Sequence, residues 1–181
     1  MRKLRPVAIA AAVTATIALT GTINRPAVTL TAVDIGQGIS VNPAPGWIVG
    51  NQGPGSVTLH NGFSTAEMEI KVKPASGTDP VAVLQADIGQ LSSLSTTGLT
   101  KVRDLSAPTA KPVEGGNFQQ EAAVNYSADG TSRMGAIPVV GWFMELLNPS
   151  THQSAFVVFA QNSDASAGAD GDAGAMIDSM L

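Results

Sequence analysis

Strict alternation of apolar and polar residues is the clearest regularity in the chain. From Thr65 to Lys73, Ala66, Met68, Ile70 and Val72 fall on one side of an extended backbone and Glu67, Glu69, Lys71 and Lys73 on the other, as successive side chains of a strand must. Ser56 to His60 alternates in the same way. The Asn61-Gly62 dipeptide between these runs readily takes the positive φ angles of a tight hairpin. Further strands are predicted at 38–41, 99–106 and 118–127, the last with Phe118, Ala122, Val124 and Tyr126 on one side, and Asp129-Gly130 supplies a second hairpin dipeptide. Arg133 to Leu147 is apolar but broken by Gly135, Pro138 and Gly141, which predicts one long irregular strand or two short ones. Ser154 to Gln161 is apolar and β-branched enough to be a central strand.

The period changes twice. After Thr78-Asp79-Pro80, which supplies a cap and a proline for the first turn, Val81, Leu84, Ile88 and Leu91 recur at spacings of three and four, predicting a helix from Pro80 to about Leu94 with one apolar stripe. Ala173, Met176, Ile177 and Met180 predict a short terminal helix over 172–181, with Asp172 as its N-cap. The Gly- and Pro-rich stretches 42–46, 50–55 and 107–116 and the small, acidic stretch 162–171 read as turns or loops. Strands interrupted by two helices define a single α+β domain.

The first 25 residues are of another kind. Met1 to Arg5 is strongly basic and Val7 to Ile23 carries no charge, the order of a signal sequence or an N-terminal membrane anchor. That uncharged run has 17 residues, at the lower end for a membrane-spanning helix, which needs roughly 20. No Ala-x-Ala cleavage site accompanies it, so an uncleaved anchor and a cleaved leader both stand. The chain divides into this segment at 1–25, a spacer or first strand at 26–35, and the α+β domain at 36–181. The expected address is the outer face of the cytoplasmic membrane, or the cell wall and beyond if the leader is cut.

Composition narrows the chemistry. The chain is 44% hydrophobic but only 4% aromatic, so its core is built from aliphatic side chains and methionine. Cysteine is absent, which excludes disulfides, zinc–thiolate sites, thiol catalysis and a lipidated cysteine. Four of the ten basic residues lie in the first 25 positions, leaving six against fourteen acidic groups, a net −8, in the domain. A domain of that charge repels phosphate backbones, and nucleic acid is not an expected partner.

Candidate sites are few. The only histidines, His60 and His152, flank predicted turns without a G-x-S-x-G elbow. Gly50 to Gly55 is glycine-rich but lacks the lysine of a phosphate-binding loop. Asp164, Asp170 and Asp172 stand in the wrong order for a calcium loop, and Glu67 and Glu69 share their face with two lysines, as a polar sheet face requires. No catalytic, cofactor-binding or metal-ligating residue is assigned, and no enzymatic activity is expected. Trp47 and Trp142 are core keystones or recognition residues; with Gly53 and Pro54 they form the candidate partner-binding set.

Pro45-Gly46-Trp47 at the head of a hairpin, the charged strand, the Gly77-Thr78-Asp79-Pro80 helix start followed by Leu84, the long hairpin strands and the terminal Met176-Ile177-x-Ser179 helix together resemble a PsbP-like domain, a family that includes the Ran-binding Mog proteins. The resemblance covers about 36–181 and extends to small exported actinobacterial and mycobacterial proteins of the Lpq lipoprotein group, although their anchoring cysteine is missing here. It implies an antiparallel sheet packed between helices, no catalytic residues, and a role as an accessory or docking subunit of a membrane or cell-wall assembly. The alternative is a carrier or sensor of a small apolar ligand such as a lipid, which requires an enclosed cavity lined by Met and Val.

Overall fold

The computed structural model describes residues 31–91, 98–132, 135–165 and 168–181; the expected signal or anchor segment, the end of the first predicted helix at 92–94 and Arg133 lie outside them. Among the described residues ten strands and two helices follow one another: β1 (Val33–Gly36), β2 (Ile39–Val41), β3 (Trp47–Gly53), β4 (Ser56–Asn61), β5 (Ala66–Pro74), α1 (Pro80–Gly89), β6 (Thr100–Arg103), β7 (Thr109–Pro112), β8 (Gln120–Ser132), β9 (Gly135–Asn148), β10 (Gln153–Asn162) and α2 (Gly168–Asp178). β1 and β2 form a hairpin of their own, and the other strands make an eight-stranded antiparallel sheet in the order β3-β4-β5-β10-β9-β8-β6, with β7 paired to β8.

The alternation read in β5 divides the two faces. Met68 and Ile70 join Val57, Leu59, Val157 and Phe159 in a core closed by Ala173 and Met176 of α2, by Met180 just beyond it and by the β1–β2 hairpin. On the opposite face Ala122, Val124, Tyr126, Phe143, Phe156 and Val158 pack under Leu84 of α1. The helices therefore cover opposite faces, and the central strand β10 is apolar on both sides because it is buried on both. Helix α1 starts where expected, its N-cap Asp79 accepting from the Val81 N–H at 3.0 Å.

Several expectations are corrected. Asp129-Gly130 makes no turn: β8 runs through it, pairing Asp129 with Pro138 and Gly130 with Ile137. The long register with β9 overrides the local turn preference, and Asp129 instead takes Lys101 at 3.0 Å and Arg103 at 3.2 Å. Of the two alternatives for the apolar run after it, one long strand or two short ones, the structure has the first, β9 over Gly135–Asn148. Phe118 precedes β8 and joins the α2-side core, apart from Ala122, Val124 and Tyr126. The 107–116 stretch contains β7, and residues 50–53 belong to β3, which leaves only Pro54-Gly55 as the turn. Helix α2 begins at Gly168, so Asp172 lies in its second turn and caps nothing.

The glycine at 141 is dictated by a close approach. Gly141 on β9 pairs with Tyr126, whose buried hydroxyl donates to the Phe159 carbonyl of β10 at 3.0 Å. A Cβ built on Gly141 would collide with that same carbonyl. The oxygen that satisfies the tyrosine occupies the space of a residue-141 side chain.

Candidate functional site

Both tryptophans bond to the first two turns of α2. The Trp47 indole N–H donates to the Asp172 carboxylate at 3.0 Å, and that of Trp142 to Asp170 at 2.8 Å. Trp47 is buried (6% exposed) on the edge strand β3. Trp142 is half-buried on β9, and its ring stacks on Phe159 with centroids 5.1 Å apart. Both rings pack, and their indole N–H groups fix α2 across the sheet, which gives each tryptophan a structural role within the domain. On one side of α2 is an open cleft of about 400 Å³ bounded by Trp47, Asn61, Phe63 and Asp172. Phe63, at the tip of the β4–β5 turn, is 89% exposed. On the other side is a cleft of about 340 Å³ lined by Asp104, Asn125, Ser127, Trp142, Gln161 and Asp170, among others.

The two anchors differ in burial, which separates their expected energetics. Asp172→Ala strands a buried indole N–H and is expected to lower the unfolding free energy by about 1–2 kcal/mol, whereas Asp170→Ala, at an exposed bond, costs under about 1 kcal/mol. Urea unfolding of the two variants beside the parent chain checks the order; equal losses would contradict it.

Gly53 and Pro54 do not join this site. They lie at the far end of β3, and the turn they enter is clamped from both sides, Gly55 N–H donating to Ile35 O at 3.0 Å and Val72 N–H to Gly55 O at 2.7 Å. Gly55 has φ +73°, and a Cβ there would lie 2.9 Å from the Val72 carbonyl, so glycine is required for packing. Of the four candidate partner-binding residues the structure brings together only Trp47 and Trp142. His60 is the last residue but one of β4, its Nδ1 3.3 Å from Asn61 O, while the carbonyl of His152 accepts from Ala75 just beyond β5. The histidines stand at opposite ends of β5. Among the described residues no group of three His, Asp or Glu side chains is placed to hold a metal.

A buried ionic cluster was missed by the sequence reading. Lys73 of β5 reaches Asp87 of α1 at 2.8 Å, Glu145 of β9 at 3.7 Å and the Ser154 hydroxyl of β10 at 3.2 Å. Glu145 is fully buried, and neither of its oxygens has a well-formed hydrogen bond among the described residues. One ammonium cannot neutralise two carboxylates. Burial foremost, and then the adjoining Asp87 carboxyl, push the Glu145 pKa up to about 8, so that it holds a proton at neutral pH. The described clefts are lined by none of Lys73, Asp87 and Glu145, which makes the cluster an internal tie between α1 and the sheet. The signal was present: Asp87 falls inside the apolar stripe between Leu84 and Ile88, and Glu145 is the lone charge between Val139 and Leu147.

Comparison with solved structures shows the fold. The chain is similar to the Saccharomyces cerevisiae Ran-binding protein Mog1p, with a TM-score of 0.50 and 12% identity, covering 78% of this chain and 86% of that one. A single-residue variant of a Mog1 protein gives a TM-score of 0.52 at 12% identity, covering 83% of this chain and 92% of that one. No protein-family model and no curated protein matches the chain. The antiparallel sheet with its two helices is the PsbP-like architecture shared with Mog1, as the sequence resemblance implied.

Proposed function

We propose that this chain is a non-catalytic docking protein of the cell envelope, exported through residues 1–25, held at or released from the outer face of the cytoplasmic membrane, and kin to the exported actinobacterial proteins of the Lpq group. The observation that carries the docking reading is edge strand β3. Its residues 48–52 are all exposed, Ile48 by 52% and Val49 by 37%, and the projecting Phe63 stands beside Trp47 at its head. Among the described residues no strand pairs with its outer edge. An open strand edge with apolar side chains and a rigid aromatic rim is a surface that proteins cover with a partner. That the similar Mog1p is itself named for binding a protein, Ran, supports the class of function and not the identity of the partner.

Crosslinking of the full-length protein in native membranes, followed by mass spectrometry of its partners and of its own N-terminus, tests the reading. Recovery of an envelope complex supports docking, and an intact Met1 in that material shows a retained anchor. A partnerless protein carrying lipid would replace docking with the carrier alternative. For the address, a C-terminal reporter fusion is expected to be active only outside the cytoplasmic membrane; activity inside would overturn it.

A further inference from the structure

Among the described residues the large sheet has two outer edges, and they are built differently. On the far side β6 and β7 follow one another along β8 and carry Lys101, Arg103 and Lys111, with Pro108 and Pro112 interrupting the row of donors and Lys101 and Asp104 at φ +49° and +55°. Charge, proline and local kinks are the devices by which an edge refuses another strand. β3 carries neither charge nor proline from Trp47 to Gly53; its irregularity is a bulge between Val49 and Gln52. Gly62 N–H donates to Gly46 O, and by the alternation of an antiparallel ladder Ile48 then turns its amide and carbonyl toward His60 while Val49 turns its own outward. The side chain of Ile48 shares a face with His60 and that of Val49 the opposite face with Leu59, and both are exposed. The edge therefore offers backbone groups with no strand opposite them among the described residues, and apolar contact on both faces.

Resting on the docking reading, we propose that β3 takes on a short extended segment of the partner protein as an added strand, apolar at its centre and carrying lysine or arginine at its ends. Only an extended backbone answers a row of strand donors and acceptors group for group. Charge sets the ends. No lysine or arginine occurs between Arg25 and Lys71, and an aspartate stands at each end of β3: exposed Asp34, whose carbonyl accepts from the Gln52 side chain at 2.6 Å, and Asp172, bonded to the Trp47 indole. A second copy of the chain suits this edge badly for the same reason. Antiparallel pairing of two β3 strands sets the Asp34 end of one beside the Asp172 end of the other, twice over, between domains of net −8. The bulge after Val49 keeps the added segment short.

The probe is a blocked peptide, Lys-Thr-Val-Thr-Val-Thr-Lys, titrated into the full-length chain at low salt while amide exchange is followed residue by residue. At saturation the Val49 amide is expected to exchange about ten-fold more slowly, with the amides of β6 unchanged. The same peptide N-methylated between its lysines, which keeps the side chains and loses the donors, should give no protection, and a version with glutamate at both ends should bind several-fold more weakly. Val49→Pro removes an outward N–H, the setting in which a strand accepts proline, and is expected to abolish peptide binding with the urea midpoint retained. The N-methyl comparison is made on the unaltered chain, so it decides the matter even if Val49→Pro loosens the fold. No protection at Val49, equal binding of the N-methylated peptide or equal binding of the glutamate version would each overturn the proposal. So would a free chain that sediments as a dimer with its Val49 amide already protected, which gives the edge to a second copy. The native-membrane crosslink separates this from the docking reading. Partners recovered undiminished with Val49→Pro sink the added strand and leave docking intact, and the expected peptide result with no partner recovered from the parent chain does the reverse.

Discussion

Gly141→Ala is expected to cost about 3–5 kcal/mol of unfolding free energy, much of the roughly 5–15 kcal/mol that a domain possesses. The added methyl group collides with the Phe159 carbonyl, backbone of the central strand, which has no free end to swing aside. Moving that carbonyl also takes the acceptor away from the buried Tyr126 hydroxyl. Two penalties fall on one atom, and they are separable. Tyr126→Phe alone is expected to cost about 1 kcal/mol, and the double variant less than the sum of the singles, since the second change finds the hydrogen bond already gone. Urea midpoints of the four proteins decide it. A Gly141→Ala chain within 1 kcal/mol of the parent would show that β10 yields more readily than its central position implies.

The second large effect belongs to the Lys73 cluster. Lys73→Met leaves Asp87 and Glu145 buried without their cation and is expected to destabilise by about 3–5 kcal/mol at pH 8. The loss should shrink at pH 5, where a proton on the carboxyl pair replaces the missing charge. The parent chain carries the same signature. The folded-state pKa of Glu145, about 8, exceeds its ordinary value of 4.5, so the folded form binds the extra proton between those values. Its contribution to stability is whole below the lower pKa and is lost as pH rises through the upper one. The groups facing Glu145 are Lys73 from β5, Asp87 from α1 and Ser154 from β10, with apolar Ala122 opposite it on β8. Glu67, raised by its own burial and by Glu69, pulls in the same direction, so the comparison must be differential. Relative to Glu145→Gln, the parent should lose stability on the order of a few kcal/mol between pH 5 and pH 9. Parallel curves for the two proteins would mean that Glu145 titrates normally.

What the sequence disclosed followed from where burial has a period. β5 was legible residue by residue because one face meets the α2-side core while the other carries charge, and β10 because both faces are covered. Turn dipeptides were trustworthy only where no longer register competed. The chain does turn after Asn61, but through the longer loop 62–65 with its positive φ at Ser64 rather than at Asn61-Gly62, and with Asn61 accepting from the Thr65 and Ala66 N–H groups; Asp129-Gly130 is absorbed by a thirteen-residue strand. The start of α2 escaped because glycine, alanine and aspartate carry little periodic signal, and its position depends on two indoles from strands far away in sequence. Phe118 was misplaced because alternation was extended past the end of β8. The ionic cluster is a lesson of the same kind. Lys73 looked solvated on its own strand, and only the helix laid over it by the fold turns that face into an interior.

The order of strands in the sheet has a consequence for the growing chain. β5 finds its central neighbour in β10, so Lys73 waits 81 residues for Ser154, and α2, which ties β3 to β9 through the two tryptophans, comes after every strand of the sheet. Until then the N-terminal hairpins present an unpaired edge and half a core. Such delayed, non-local closure makes folding slow. A chain emerging from its N-terminus stays unlocked until α2 arrives, and a chaperone has that whole interval in which to hold it unfolded.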